Sequence, residues 1–189
     1  MASLNSKKIF SAPDWAQKEL DEVEKTVQGW SRSDKLEAFA RGGGDVVRAL
    51  KKFPQSMWGF TAKKGNWCIG EVLWHLADQE ANVYVRLRKA VSEDGSSVTA
   101  WDHTAWQSGT RCLQADPVQA RDLLVLLRKA NADLLRRLPA KAWKNHIQHP
   151  EFGEPTVEEM VGFNIWHLEN HIGQMGRRFQ EWKDGRQGR

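Results

Sequence analysis

Apolar residues recur every three or four positions along most of this chain, and this spacing restricts its fold more than any other feature. A period of 3.6 residues places such positions on one face of an α-helix, whereas a half-buried strand alternates. Signals typical of strands are few. The pattern therefore predicts an all-α protein, a four-helix bundle preceded by an N-terminal helix. Five segments carry the helical period: residues 14–28, 34–52, 67–91, 117–138 and 157–182.

Several predicted helix starts carry capping signals. Thr156 with Glu159, and Asp34 with Glu37, have the spacing of a capping box. At positions 116–117 an aspartate, which can cap a helix, is followed by a proline, which is favoured at the first helical position. These signals predict where three of the helices begin.

Three consecutive glycines at positions 42–44 interrupt the second predicted helix. A glycine inside a helix costs roughly 1 kcal/mol relative to alanine. The triplet therefore indicates either a break in the helix or a place where two backbones approach closely.

Composition limits the class of protein. The chain has 189 residues, 28% charged and 40% hydrophobic, which is typical of one globular domain. No apolar run approaches the roughly 20 residues that span a bilayer, and the N-terminus has no apolar signal core. We therefore expect a cytoplasmic protein without a membrane partner. The net charge of +4 is modest, and no dense basic stripe predicts a nucleic-acid partner.

Two histidines stand four residues apart in the last predicted helix, in the run "WHLENHIGQM". Because each helical residue turns about 100°, His167 and His171 lie on nearly the same face, one turn apart. The general base of the HExxH motif is missing, since Glu169 projects away from His167. Such a pair is typical either of buried histidines held by hydrogen bonds or of metal ligands.

A third histidine, His75, lies on the inward stripe of segment 67–91. Three imidazoles directed into one core are costly unless something compensates their burial. A shared metal ion removes that cost, because neutral imidazole is a ligand for zinc, nickel, copper or iron. We therefore predict that His75, His167 and His171 bind one metal ion.

Polar residues at neighbouring helical positions are candidates for supporting roles. Glu71, one turn before His75, is the candidate catalytic residue. For Glu71 and for each of the other candidates, an alternative interpretation stays open, namely a polar side chain on the protein surface or between two packed helices. His103, in the predicted loop 95–115, can reach over the mouth of a pocket, although a loop histidine without a partner is typically just solvated. The candidates that surround or orient the ligands are Asp78, Gln79 and Asn164.

The runs "WCIGEVLWHLADQEANVYVRLRKAV" and "HPEFGEPTVEEMVGFNIWHLENHIGQM", with their separation, resemble the DinB/YfiT-like superfamily of metalloenzymes. That family has a tryptophan opening its second helix and a histidine two turns later. A glycine-containing turn then leads into a helix with His-x3-His. Here these places are held by Trp67, His75, Gly153, His167 and His171.

The resemblance implies a bundle with up-down-down-up topology and a three-histidine site that holds zinc or nickel. It also implies that the protein forms homodimers. Some members of the family catalyse transfer or isomerisation reactions that use a low-molecular-weight thiol. It divides the chain into an N-terminal helical extension (residues 1–33), the bundle (34–183) and a polar tail (184–189).

Three protein ligands leave an open coordination position, which is typical of catalytic metal sites. We therefore predict a metal-dependent enzyme acting on a small molecule, either a hydrolase or a thiol-dependent transferase. The alternative is a non-catalytic module of the same fold that binds a metal or a small ligand.

Overall fold

A computed structural model describes residues 13–187, and within that range the chain is almost entirely helical. Two short strands, β1 (Ser96–Ser97) and β2 (Ile147–Gln148), pair in parallel beside the bundle. None of the described helices combines the length and apolarity needed to cross a membrane. The predicted all-α fold is confirmed. The helices are α1 (Asp14–Val27), α2 (Arg32–Leu50), α3 (Ile69–Ser92), α4 (His103–Gly109), α5 (Pro117–Arg137) and α6 (Val157–Gln187).

Helices α2 and α6 run in the same direction. Near their first turns Lys35 Nζ lies 2.6 Å from the Glu158 carboxylate. Further along both helices Gly42 faces Leu168. The first and last helices of the four-helix bundle are therefore parallel.

Helices α3 and α5 are also parallel. Gly70 lies against Pro117 at their N-terminal ends, and Glu80 pairs with Arg128 further along. Phe39 of α2 lies against Arg128, and Gly43 lies against Val125, so α2 and α5 are antiparallel. The bundle thus has the up-down-down-up order that the resemblance implied.

The helix starts agree with the sequence at two places and differ at one. Asp116 accepts the Val118 N–H, and Thr156 forms a capping box with Glu159, as predicted. The predicted box of Asp34 with Glu37 is wrong. Asp34 is the third residue of α2, and its carboxylate accepts the N–H of Ser31, which is the cap. Helix α2 begins earlier because Ser31 supplies the oxygen that accepts the Asp34 N–H.

The glycine triplet does not break α2, which continues to Leu50. A Cβ on Gly42 would lie 2.5 Å from Leu168 Cδ2, and one on Gly43 would lie 3.5 Å from the Val125 backbone. Two of the three glycines therefore allow α6 and α5 to approach α2 closely. This close approach fixes the position of α6, which carries two of the histidines.

A layer of buried polar side chains separates two apolar clusters of the core. The Arg128 Nε atom lies 2.9 Å from the Glu80 carboxylate, and Asn131 donates a hydrogen bond to the same carboxylate. Burial raises the pKa of Glu80, and the Arg128 guanidinium opposes that shift. Since a buried charge is tolerated only when paired, the layer fixes the register of α3 against α5.

Helix α1 packs on the outside of the bundle against α6. A Cβ on Gly162 would lie 3.4 Å from Val27 Cγ2 and 3.7 Å from Val23 Cγ1. Residues 1–12 of the predicted N-terminal extension lie outside the described residues, as do residues 188–189 of the predicted tail.

Candidate metal centre

The three predicted histidines meet between α3 and α6. His75 Nε2 lies 3.1 Å from His167 Nε2, and His171 Nε2 lies 3.2 Å from the same His167 atom. One nitrogen from each of the three rings can be chosen so that all lie within 4.8 Å of one another. The structure therefore brings residues that are 92 positions apart in the chain into one cluster.

The geometry of this cluster fits a shared metal ion better than a set of hydrogen bonds. A neutral imidazole nitrogen carries either one proton or one lone pair, so His167 Nε2 cannot make good hydrogen bonds to both neighbours. Ligand nitrogens around a tetrahedral zinc ion lie about 3.3 Å apart, given zinc–nitrogen bonds of about 2.0–2.1 Å. The two observed separations, 3.1 and 3.2 Å, are close to that value.

The electrostatics keep these rings neutral. Burial, together with the His171 and His103 charges, lowers the pKa of His75 to about 3. Burial also lowers the pKa of His167 well below its ordinary value and lowers the pKa of His171. Neutral imidazole has a free lone pair, which is the form that a metal ion binds.

One polar partner of the cluster was not foreseen. His171 Nδ1 lies 2.7 Å from Gln174 Oε1, so the ring can donate its Nδ1–H to this amide oxygen. Such a bond leaves the Nε2 lone pair directed at the cluster and fixes the ring orientation. The signal was present in the sequence, since Gln174 follows His171 by three residues on one helical face.

Two predicted supporting residues, Gln79 and Asn164, contact each other. The Gln79 amide donates a hydrogen bond of 3.0 Å to Asn164 Oδ1, and both side chains are buried. Asn164 also donates to the Met160 carbonyl. These residues join α3 to α6 beside the cluster, and their role toward a metal ion stays a prediction.

The two predicted acidic residues lie in different surroundings. The Glu71 carboxylate accepts the Cys68 N–H at 2.8 Å and so caps the start of α3. Asp78 is half-buried, and burial raises the pKa of its carboxyl to about 6. The catalytic role of Glu71 stays a prediction.

Aromatic rings surround the cluster. Trp101 stacks on His75 with ring centroids 5.6 Å apart and planes 18° apart. Trp67 lies 5.0 Å from the His75 ring centroid, and Phe163 stacks on His167 at 5.7 Å. These rings form apolar walls, and Trp101 belongs to the segment 95–115, for which the sequence predicts a loop.

A short helix, α4, covers one side of the cluster where only a loop was expected. Asp102 caps it by accepting the Thr104 and Ala105 N–H groups. The buried Gln107 side chain donates to the Glu71 carbonyl at 2.7 Å, which ties α4 to α3. This docking stabilises a seven-residue helix that local propensity does not predict.

Two further histidines, His146 and His149, lie outside the cluster. His146 Nδ1 is 3.1 Å from the Asp94 carboxylate. His149 is buried in the turn before α6, and its Nδ1 accepts the Glu151 N–H. Both stand in the connection between α5 and α6.

Residues 38–175 match the sequence model of the DinB superfamily, and this range includes all three histidines. The chain belongs to the DinB superfamily. Among relatives of this DinB-superfamily protein is the Bacillus subtilis protein named "Putative metal-dependent hydrolase YfiT". The two sequences are 31% identical over 131 residues, covering 69% of this chain and 74% of the relative. A protein of Oceanobacillus iheyensis with the same description is 26% identical over 144 residues, covering 74% and 79%.

A solved structure supports the fold assignment of this superfamily member. It is that of Bacillus subtilis YfiT, described as a probable metal-dependent hydrolase with an unusual four-helix bundle topology. The two structures superimpose with a TM-score of 0.74 at 24% identity, covering 82% of this chain and 91% of the other. The likeness establishes the shared bundle fold.

Proposed function

We propose that this protein is a metal-dependent enzyme acting on a small molecule, and that His75, His167 and His171 bind its divalent ion. The observation that carries the proposal is the position of His167 Nε2, within 3.2 Å of the Nε2 atoms of both other histidines. One ion that accepts three lone pairs accounts for this arrangement. Zinc and nickel are the ions we propose, because both bind neutral imidazole.

Three protein ligands would leave one position of a four-coordinate ion open, and the ion would lower the pKa of a water or thiol that binds there. Hydrolysis is the reaction that the descriptions of the relatives support. Transfer with a low-molecular-weight thiol is the second reaction of this class, and the same open position would serve it.

Other residues of the chain orient the proposed ligands and keep water away from the site. Gln174 holds the His171 ring so that its Nε2 faces the cluster. Trp67 and Trp101 exclude water from two sides of the His75 ring, which strengthens electrostatic interactions at the site. Asp78, whose pKa lies near 6, is suited to exchange protons near neutral pH, whereas Glu71 is engaged with the Cys68 N–H.

Metal analysis of untagged protein, purified without chelator or nickel resin, tests the ligand assignment. We expect about one zinc or nickel ion per chain and its loss in His75→Ala. His146→Ala is the matched control, because His146 pairs with Asp94 outside the cluster and should keep the ion. Equal metal content in His75→Ala and the control, with both folded by circular dichroism, would contradict the proposal.

A substrate panel separates the enzyme from the binding module. Esters, amides and electrophiles offered with small thiols should include at least one compound whose turnover depends on the ion and on His75. Stable metal binding without turnover on any of them would favour the non-catalytic module. Homodimerisation and a cytoplasmic location stay predictions from the sequence.

A further inference from the structure

A fourth histidine, His103 at the start of α4, lies beside the proposed ligands without being one of them. Its ring centroid is 5.5 Å from that of His75. Ring centroids within the proposed ligand set are separated by 4.5 to 5.1 Å. His103 is exposed and does not belong to the group whose nitrogens lie within 4.8 Å of one another.

His103 lies at the solvent-facing edge of the cluster. Its ring contacts that of His75, with centroids 5.5 Å apart, and its side chain is exposed. A positive charge on His103 is also among the smaller causes that lower the pKa of all three other histidines.

Two indoles flank the His103 ring. Trp67 lies 5.6 Å away at an interplanar angle of 81°, and Trp101 lies 6.2 Å away at 72°. These edge-on contacts hold the plane of the imidazole through apolar groups. Because the side chain is exposed, a polar atom that enters from solvent can reach the ring.

The backbone that carries His103 is fixed at both ends of α4. Asp102 caps the N-terminus, and Gln107 is bound to the Glu71 carbonyl and to the Cys112 thiol, whose Sγ is 2.8 Å from Gln107 Oε1. His103 is therefore presented to the cluster by a docked helix, although its own side chain is exposed.

We propose that His103 is a substrate-contacting residue, whose imidazole hydrogen-bonds to the molecule bound at the open position of the metal site. The ligand class is a small molecule with an oxygen or sulfur donor joined to an apolar group, because Trp67 and Trp101 line the approach. This inference rests on the proposed metal site.

Cobalt(II)-loaded protein tests it without a known substrate, because visible absorption bands report the coordination of the ion. Benzoate is the probe, since it joins a carboxylate to an apolar ring. We expect His103→Ala to bind one cobalt ion with an unchanged spectrum and to bind benzoate about tenfold more weakly, which is about 1.4 kcal/mol. His103→Gln, which keeps a hydrogen-bonding group, should recover part of the loss, and His146→Ala should match the wild type.

The outcomes are distinct. Equal benzoate affinity in His103→Ala and the wild type, or no benzoate binding to the wild type, overturns the inference and leaves the metal site intact. A changed spectrum in His103→Ala before benzoate is added also overturns it, because His103 would then be a ligand. Failure of the wild type to bind cobalt overturns both the inference and the proposed function.

Discussion

The side chains of Gln79 and Asn164 form a buried hydrogen bond across the bundle, with Gln79 Nε2 donating to Asn164 Oδ1 at 3.0 Å. Gln79 follows His75 by one helical turn, and Asn164 precedes His167 by almost one turn. The bond therefore ties α3 to α6 next to the point where both helices supply proposed metal ligands.

Replacement of this bond by an apolar contact should destabilise the protein. Gln79→Met keeps most of the side-chain volume but leaves Asn164 Oδ1 without its donor. An unsatisfied buried polar group costs about 1–3 kcal/mol, and we expect the free energy of unfolding to fall by that amount. Urea denaturation measures it, with Gln119→Met, on the exposed face of α5, as a control. Equal losses in both variants would show that the buried bond contributes nothing.

The amide of Gln174 should control metal affinity. Gln174→Met removes the acceptor that lies 2.7 Å from His171 Nδ1. Loss of such a partner typically weakens metal binding about 10- to 100-fold, and we expect that decrease without a change in stoichiometry. Zinc titration against a competing chelator measures it. Gln180→Met, whose amide donates to Asp184 on the exposed side of α6, should bind zinc like the wild type.

Acid should destabilise the metal-free protein through its histidines. Burial lowers the pKa of folded His75 to about 3, below the value of 6.5 for an unperturbed histidine. The unfolded chain therefore takes up a proton first as the pH falls. The stability that neutral His75 contributes is complete above about pH 6.5 and is lost toward pH 3, by about 1.4 kcal/mol per pH unit.

Comparison with His75→Gln isolates this effect, because other titrating groups such as Asp78 are present in both proteins. As the pH falls from about 6.5 to about 5, the stability of the chelator-treated wild type relative to His75→Gln should decrease steadily. A difference that does not change with pH would mean that His75 has an ordinary pKa in the folded state.

Alanine substitutions at Gly42 and Gly44, two positions of the glycine triplet, should have opposite effects on stability. Gly42→Ala places a Cβ 2.5 Å from the buried Leu168 Cδ2, and overpacking of this kind costs about 1–3 kcal/mol. Gly44 is exposed, and its Cβ would meet only the flexible end of Arg48 at 3.3 Å. Gly44→Ala should therefore stabilise α2 by up to about 1 kcal/mol. Thermal unfolding distinguishes the two, and stabilisation by both substitutions would refute the close approach of α2 and α6.

Much of the fold was predictable because helical periodicity is a local property. The apolar stripes located the five long helices to within a few residues, and the caps at Asp116 and Thr156 were identified correctly. The cap of α2 was predicted wrongly, because Ser31 and Asp34 both carry side-chain oxygens that can cap a helix. The choice between them depends on where the chain turns after α1.

Helical geometry alone places His167 and His171 on one face of a helix and directs His75 into the core, since both follow from 100° per residue. The packing of the helices was needed to show how closely the three nitrogens meet, that the glycines serve close packing, and that Trp101 and His103 lie against the cluster. The reason is that α4 forms by docking through Gln107 onto α3, and contacts between distant segments leave no periodic signal in the chain.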